Sequence, residues 1–230
     1  MFPPSLSRMI DNHVSERAMI QHPFYRAWTE GRLELATLRS YAAQYFHHVE
    51  VFPQVVSAVH SMCPDADGRR MLAENLAEEE GLGKGRDEHA SMWLMFARGL
   101  GKSEDEVRRT TPTKETRELV ATFRDLSHRS YAAGLAALYA YECQLPAVAS
   151  AKIDGLVKRY GITDEKTLRF FKVHETADIE HSSTCRALLD RLPEHECEEA
   201  LNAAKELASA LWNFLSGVEA AADLSTRANA

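Results

Sequence analysis

The chain of 230 residues carries a formal net charge of −7 and is 45% apolar and 27% charged, the balance of an ordinary soluble globular protein. That charge leaves no basic footprint for nucleic acid or an anionic membrane, and no stretch approaches the about 20 apolar residues of a membrane span. The length fits one sizeable core and demands no second domain.

The opening stretch, MFPPSLSRMIDNHVSERAMI, scatters its charges and lacks the apolar run of a secretory signal, which points to the cytoplasm. Cys63, Cys143, Cys185 and Cys197 show no Cys-x2-Cys spacing; they read as free thiols and argue against a thiolate zinc site. Between glycine clusters such as EGLGKG and RGLGKS, apolar residues recur at steps of three and four, the helical period. In chain order, LATLRSYAAQYFHHVEVFPQVVSAVHSM predicts a long helix kinked at Pro53. GRRMLAENLAEEE and EHASMWLMFARGLG form a helix pair around the glycine-rich turn, and TKETRELVATFRDLSHRS follows. YAAGLAALYAYECQLPAVASAKIDGLVKRYG reads as one helix with an internal proline. TDEKTLRFFKVHETADIEHSSTCRALLDRL opens with Thr163 or Asp164 as N-cap. A final helix, EHECEEALNAAKELASALWNFLSGVEAA, precedes a polar tail at 223–230 that is expected to fray. No alternating strand pattern competes, so the expectation is all-α: a single-domain bundle over 1–222 with about seven helices.

Chemistry concentrates in HETADIEH, residues 174–181. A helix turns about 100° per residue, so His174, Asp178 and His181 project as one row while Glu175 and Glu180 point elsewhere. Such a row is either a solvated face or a set of metal ligands, and its company decides. Glu142 is a lone acid in an almost uncharged helix; unpaired burial would cost it several kcal/mol or force protonation, and a metal removes that cost. A protonated, hydrogen-bonded core glutamate is the bland alternative. Glu79 follows Leu72 and Leu76 on the inward face, although three adjacent acids are more often a solvated helix end. His89 begins a face continued by Trp93 and Phe96; alone it would be a cap or core histidine. His47, His48, His60 and His128 lack such company and read as structural or surface residues. The set of Glu79, His89, Glu142, His174, Asp178 and His181 gives three carboxylates and three imidazoles from four helices. Hard oxygens with imidazoles suit iron or manganese, and two ions side by side would leave positions open for dioxygen.

With these pieces (NLAEEEG and HASMW within 75–94, YECQLP at 141–146 and HETADIEH at 174–181) the chain resembles the haem-oxygenase-like di-metal oxidases, relatives of TenA and PqqC. Within them it is most similar to the CADD family (Chlamydia protein associating with death domains), sharing HPF, FP, NL, YE and KI landmarks. That resemblance implies a self-sacrificing para-aminobenzoate synthase serving folate synthesis. It would use two metal ions (Fe/Fe or Fe/Mn), dioxygen and an external reductant, and turn over once; the implied fold also admits a homodimer. By the same resemblance Tyr25 in HPFYRAW supplies the ring, Lys152 in ASAKIDG is implicated as amino donor, and Tyr141 matches an active-site tyrosine. The long turn GLGKGRD departs from the family pattern and leaves Glu79 and Glu80 both open as the ligand.

The residues add partial support. On a single helix, Tyr141, Leu145, Val148 and Lys152 would form one row, so Lys152 would extend an apolar stripe where desolvation favours the free amine. A lysine snorkelling to solvent is the alternative. Tyr25 alone reads as a core aromatic near a helix start. Two other functions stay open at this level: a di-iron oxidase acting on an external fatty acid or amine, and a helical interaction protein with a vestigial metal site.

Overall fold

The computed structural model describes residues 4–228. Among them the chain forms eleven α-helices and a 3-10 turn at Met19–Gln21, with no strand. The helices are α1 (Leu6–Glu16), α2 (Pro23–Glu30), α3 (Leu35–Met62), α4 (Ala66–Glu79), α5 (His89–Gly99), α6 (Glu104–Arg108), α7 (Lys114–Arg129), α8 (Tyr131–Glu142), α9 (Leu145–Tyr160), α10 (Glu165–Leu189) and α11 (Glu194–Ala228). The all-α class stands, but the expected count of about seven helices is too low.

Each addition has a local cause. α1 and α2 are short amphipathic pieces that a long apolar period does not reveal. α6 is started by a capping box in which Ser103 and Glu106 satisfy each other's backbone N–H groups. The long helix expected from Tyr131 to Tyr160 is broken at Cys143–Gln144. Pro146 lies in the first turn of α9, where it offers no N–H and its ring crowds the carbonyl of Glu142 four residues back. Gln144 secures the break: its Nε2 donates to the Ala140 carbonyl at 2.7 Å, and its Oε1 accepts from the Met19 backbone at 2.8 Å. Tyr141, Leu145, Val148 and Lys152 therefore do not share one helix row, although all four are buried. Helix α3, by contrast, runs on through Pro53. Asp164 is the N-cap of α10, accepting from the Thr167 backbone at 2.9 Å. The tail expected at 223–230 lies partly outside the described residues, and α11 is continuous to Ala228.

Helix α8 occupies the centre. Every residue from Ala132 to Glu142 is buried, as a helix apolar on all sides must be. It packs against α3, α7, α10 and α11. One hydrophobic cluster draws on residues from Leu6 to Val218. No helix among the described residues is long and apolar enough to cross a membrane.

Candidate metal centre

Three helix ends and one helix row build the site. Glu79 closes α4, His89 opens α5 and Glu142 closes α8, while His174, Asp178 and His181 run along α10. On α4 the inward positions are Leu72, Asn75 and Glu79, so the helical step buries Glu79 and leaves Glu80 exposed as the C-cap. On α10 the steps of four and three bury all three chosen residues. The six residues assemble as two groups: Glu79, His89 and His174 form one, and Glu142, Asp178 and His181 the other. Within each group, one donor atom per residue lies within 4.8 Å of the others.

The donor atoms fit metal ions better than they fit one another. His89 Nδ1, Asp178 Oδ2 and His181 Nδ1 are buried without an aligned hydrogen bond, and an acceptor left wholly unpaired, as Asp178 Oδ2 is, costs about 1–3 kcal/mol. His89 Nδ1 lies 2.8 Å from Glu79 Oε2 without hydrogen-bond alignment, and His181 Nδ1 lies 3.6 Å from Asp178 Oδ1. His174 donates from Nδ1 to the Phe170 carbonyl at 2.7 Å, which leaves Nε2 as its free lone pair. Glu142 is held at both oxygens, by Asn75 Nδ2 at 2.8 Å and by the Cys185 thiol at 3.4 Å.

The electrostatics point the same way. Burial pushes the Glu142 carboxyl up to about 7, and Asp178 adds to the rise. Burial pulls the His181 imidazolium down, but Asp178, Glu142 and Glu79 outweigh it and raise it to about 9. Three buried carboxylates and an imidazole drawn toward protonation describe a core short of positive charge. Two divalent cations would supply it, displacing protons as they bound.

Beside this centre lies a cage of rings around Lys152. The ammonium-bearing side chain is 2% exposed, and its Nζ donates to the Tyr41 hydroxyl at 2.7 Å. The Tyr41 hydroxyl lies 3.1 Å from that of Tyr25. Nζ sits over the rings of Tyr25, Tyr41, Tyr45, Trp93 and Phe171, 5.1–5.5 Å from their centroids. Burial lowers Lys152 to about 7. Burial also raises Tyr25, Tyr41, Tyr45 and Tyr141, so all four phenols keep their protons. The Tyr141 hydroxyl lies 2.7 Å from that of Tyr45, whose ring stacks on Tyr41 at 5.4 Å. A connected set of phenols thus joins the neighbour of Glu142 to Tyr25.

Helix α2 carries Tyr25 into the cage. His22 caps it, accepting from the Phe24 backbone on Nδ1 while Nε2 meets the Ser216 hydroxyl at 3.0 Å. Trp28 then donates from Nε1 to the Lys152 carbonyl at 3.2 Å, tying α2 to α9.

Sequence reasoning missed Tyr41 and Tyr45, which lie in one row with His48. Their spacing carried the signal: steps of four and three, the same as in His174, Asp178 and His181. Of the two readings given for His48, structural or surface, the buried structural one holds: it is boxed by Tyr45, Phe52, Phe123 and Tyr141. Asn75 and Cys185 left no such pattern, because their importance is only that they touch Glu142.

Comparison with known proteins agrees with this geometry. Residues 39–212 match the family of iron-containing redox enzymes. The chain belongs to that family. It is 40% identical to a 4-aminobenzoate synthase of Nitrosomonas europaea over 93% of this chain and 91% of that protein. Chlamydial relatives at 35–39% identity bear the same name. Among solved structures, a TenA homologue of Pseudomonas syringae pv. tomato shares the fold with a TM-score of 0.79 at 17% identity, covering 93% of this chain and 92% of that one. A CADD-like protein of Nostoc punctiforme gives 0.75 at 19% identity, over 94% and 96%. The haem-oxygenase-like fold and the likeness to CADD proteins therefore hold, and the chain is a redox enzyme whose two buried groups fit a di-metal site.

Proposed function

We propose that the chain is a 4-aminobenzoate synthase that makes its product from its own Tyr25, with Lys152 as the nitrogen source. In this reading Glu79, His89, Glu142, His174, Asp178 and His181 hold two metal ions. The atoms of the product set the requirement. Its ring and carboxyl carbon correspond to the ring and Cβ of a tyrosine whose Cα–Cβ bond has broken, and its nitrogen takes the place of the phenolic oxygen. The nitrogen donor must therefore wait at the hydroxyl end of the ring.

The observation that carries the reading is that Lys152 waits there. Its Nζ is one hydroxyl away from the Tyr25 hydroxyl, through contacts of 2.7 and 3.1 Å at Tyr41. Burial to about 7 leaves a large share of the amine uncharged near neutrality, with the lone pair a nucleophile needs. Tyr41 orients both partners. Tyr141, bonded to Tyr45 and adjacent to Glu142, is assigned the part of passing oxidation from the metal side toward the cage. Bound iron, alone or with manganese, would supply dioxygen activation with electrons from an external reductant. Because two side chains are consumed, each chain turns over once.

The test is mass spectrometry of intact protein and peptides after reduced, metal-loaded protein meets oxygen. Peptides spanning Tyr25 and Lys152 should change mass as 4-aminobenzoate appears, and ring-labelled tyrosine incorporated during expression should label the product. Unlabelled product, or product formed with both peptides intact, overturns the reading.

A further inference from the structure

One carboxylate beside the metal centre is held in an arrangement that the six proposed ligands do not explain. Glu78 precedes Glu79 at the end of α4, yet the two side chains serve different groups. Glu79 faces His89, whereas Glu78 Oε2 reaches His181 Nε2 at 3.0 Å. The second oxygen of Glu78 lies 2.9 Å from Arg86 Nη2, on the connection between α4 and α5. Glu78 is therefore fixed at both ends, and its side chain is 27% exposed while that of His181 is 9% exposed.

The chemistry of imidazole makes this contact directional. A carboxylate oxygen accepts, so the contact at 3.0 Å places a proton on His181 Nε2. In the neutral ring, the other nitrogen then carries a lone pair. That nitrogen is Nδ1, buried, without a hydrogen bond and 3.6 Å from Asp178 Oδ1. His174 reaches the same end by donating to the Phe170 backbone carbonyl, which no substitution removes. His181 depends on a side chain instead. Outer carboxylates that hold a ligating histidine in one tautomer change metal affinity by about 10–100-fold when lost.

We propose that Glu78 is a positioning residue for the second metal site: it fixes the tautomer and ring orientation of His181 so that Nδ1 faces the ion shared with Glu142 and Asp178. The inference rests on reading the two groups as a di-metal centre. It adds that their affinities are set separately, the second by Glu78 and the first without it. Arg86 orients Glu78 but does not contribute to the tautomer.

Titration of metal-free, full-length protein with Mn2+, followed by the paramagnetic resonance of free Mn2+, tests this without any turnover. The wild type should take up two ions. Glu78→Ala should bind the first ion as the wild type does and the second about 10–100-fold more weakly. Glu78→Gln, which keeps an acceptor oxygen, should fall between them and serves where the alanine variant fails to fold. Arg86→Ala, which loosens Glu78 but leaves its acceptor in place, should keep the first affinity and weaken the second less than Glu78→Ala does. Wild-type uptake of no ion overturns the di-metal reading itself. Uptake of two ions by the wild type with an unchanged second affinity in both Glu78 variants overturns this inference alone. Equal weakening by Arg86→Ala also overturns it, because the effect would then belong to the connecting segment.

Discussion

Lys152 shows how much one residue can be asked to bear. Depressing its pKa from 10.5 to about 7 corresponds to a cost on the order of 5 kcal/mol for keeping the ammonium inside. Five ring faces within 5.5 Å offer partial compensation through cation–π attraction. The sign of the pH effect follows from proton counts. Between about 7 and 10.5 the unfolded chain keeps the Lys152 proton and the folded chain has lost it, so this residue makes stability rise with pH across that window. Below about 7 both states are protonated and the cost is felt in full. Lys152→Met should accordingly stabilise the fold by several kcal/mol at pH 6, less about 1 kcal/mol for the lost bond to Tyr41. The gain should vanish by pH 10.5, as read by denaturant unfolding at each pH. Production of 4-aminobenzoate should disappear in the same variant. Tyr41→Phe isolates the bridge: it keeps both proposed reactants, Tyr25 and Lys152, and removes the hydroxyl between them. Product per chain in a single exposure to oxygen should fall at least about 10-fold, the factor that a loss of roughly 1.4 kcal/mol of orientation would give.

At the scale of elements, the proposed meeting of Tyr25 with Lys152 depends on how closely α2 lies on α9. Gly155 makes that approach possible. A Cβ there would stand 2.5 Å from Trp28 Cδ1 and 3.1 Å from the Trp28 carbonyl, so both ring and backbone of α2 would have to move. Gly155→Ala should gain about 1 kcal/mol in helix propensity and lose about 1–3 kcal/mol to overpacking. The expected outcome is a small net loss in thermal stability with a much larger loss of product, because the displacement falls on Tyr25. A purely structural glycine would give the stability change without the second effect. This is also where the sequence stops being readable. The row on α10 is a local periodicity and could be read directly, whereas the step on α4 left Glu79 and Glu80 both open until burial separated them. The α8–α9 break turns on Pro146 and Gln144 acting with Met19, a contact across 125 positions that no helical period encodes. Gly155 reads as an ordinary helix weakness until Trp28 is seen against it. Tyr41 and Tyr45 were legible in principle, since the same spacing that marked His174 and Asp178 recurs in YAAQY. Aromatic residues at that spacing are usually core, and only the position of Lys152 gives them chemistry.

For the whole molecule, the candidate metal centre joins α4, α5, α8 and α10, so ion binding there would be linked to folding stability. Each ion held at 100 times its dissociation constant adds about 2.7 kcal/mol, and in a chain of this size roughly 2–4 °C accompanies each kcal/mol. Saturating Mn2+ should thus raise the unfolding midpoint by about 5–10 °C per occupied site. Asp178 separates this linkage from ordinary packing. It is 2% exposed, its Oδ2 lacks a partner, and it lies in one group with Glu142. In the metal-free protein that unsatisfied acceptor costs about 1–3 kcal/mol of stability. Asp178→Asn keeps the shape and removes the charge, so the metal-free midpoint should stay level or rise. The same substitution removes an anionic donor from the second group, so the increment produced by Mn2+ should shrink by roughly one site's worth. A side chain that merely packs would lower both midpoints together. Opposite movement of the two, measured by calorimetry with and without chelator, is what a residue selected to hold a cation must show, and parallel loss would remove Asp178 from the centre.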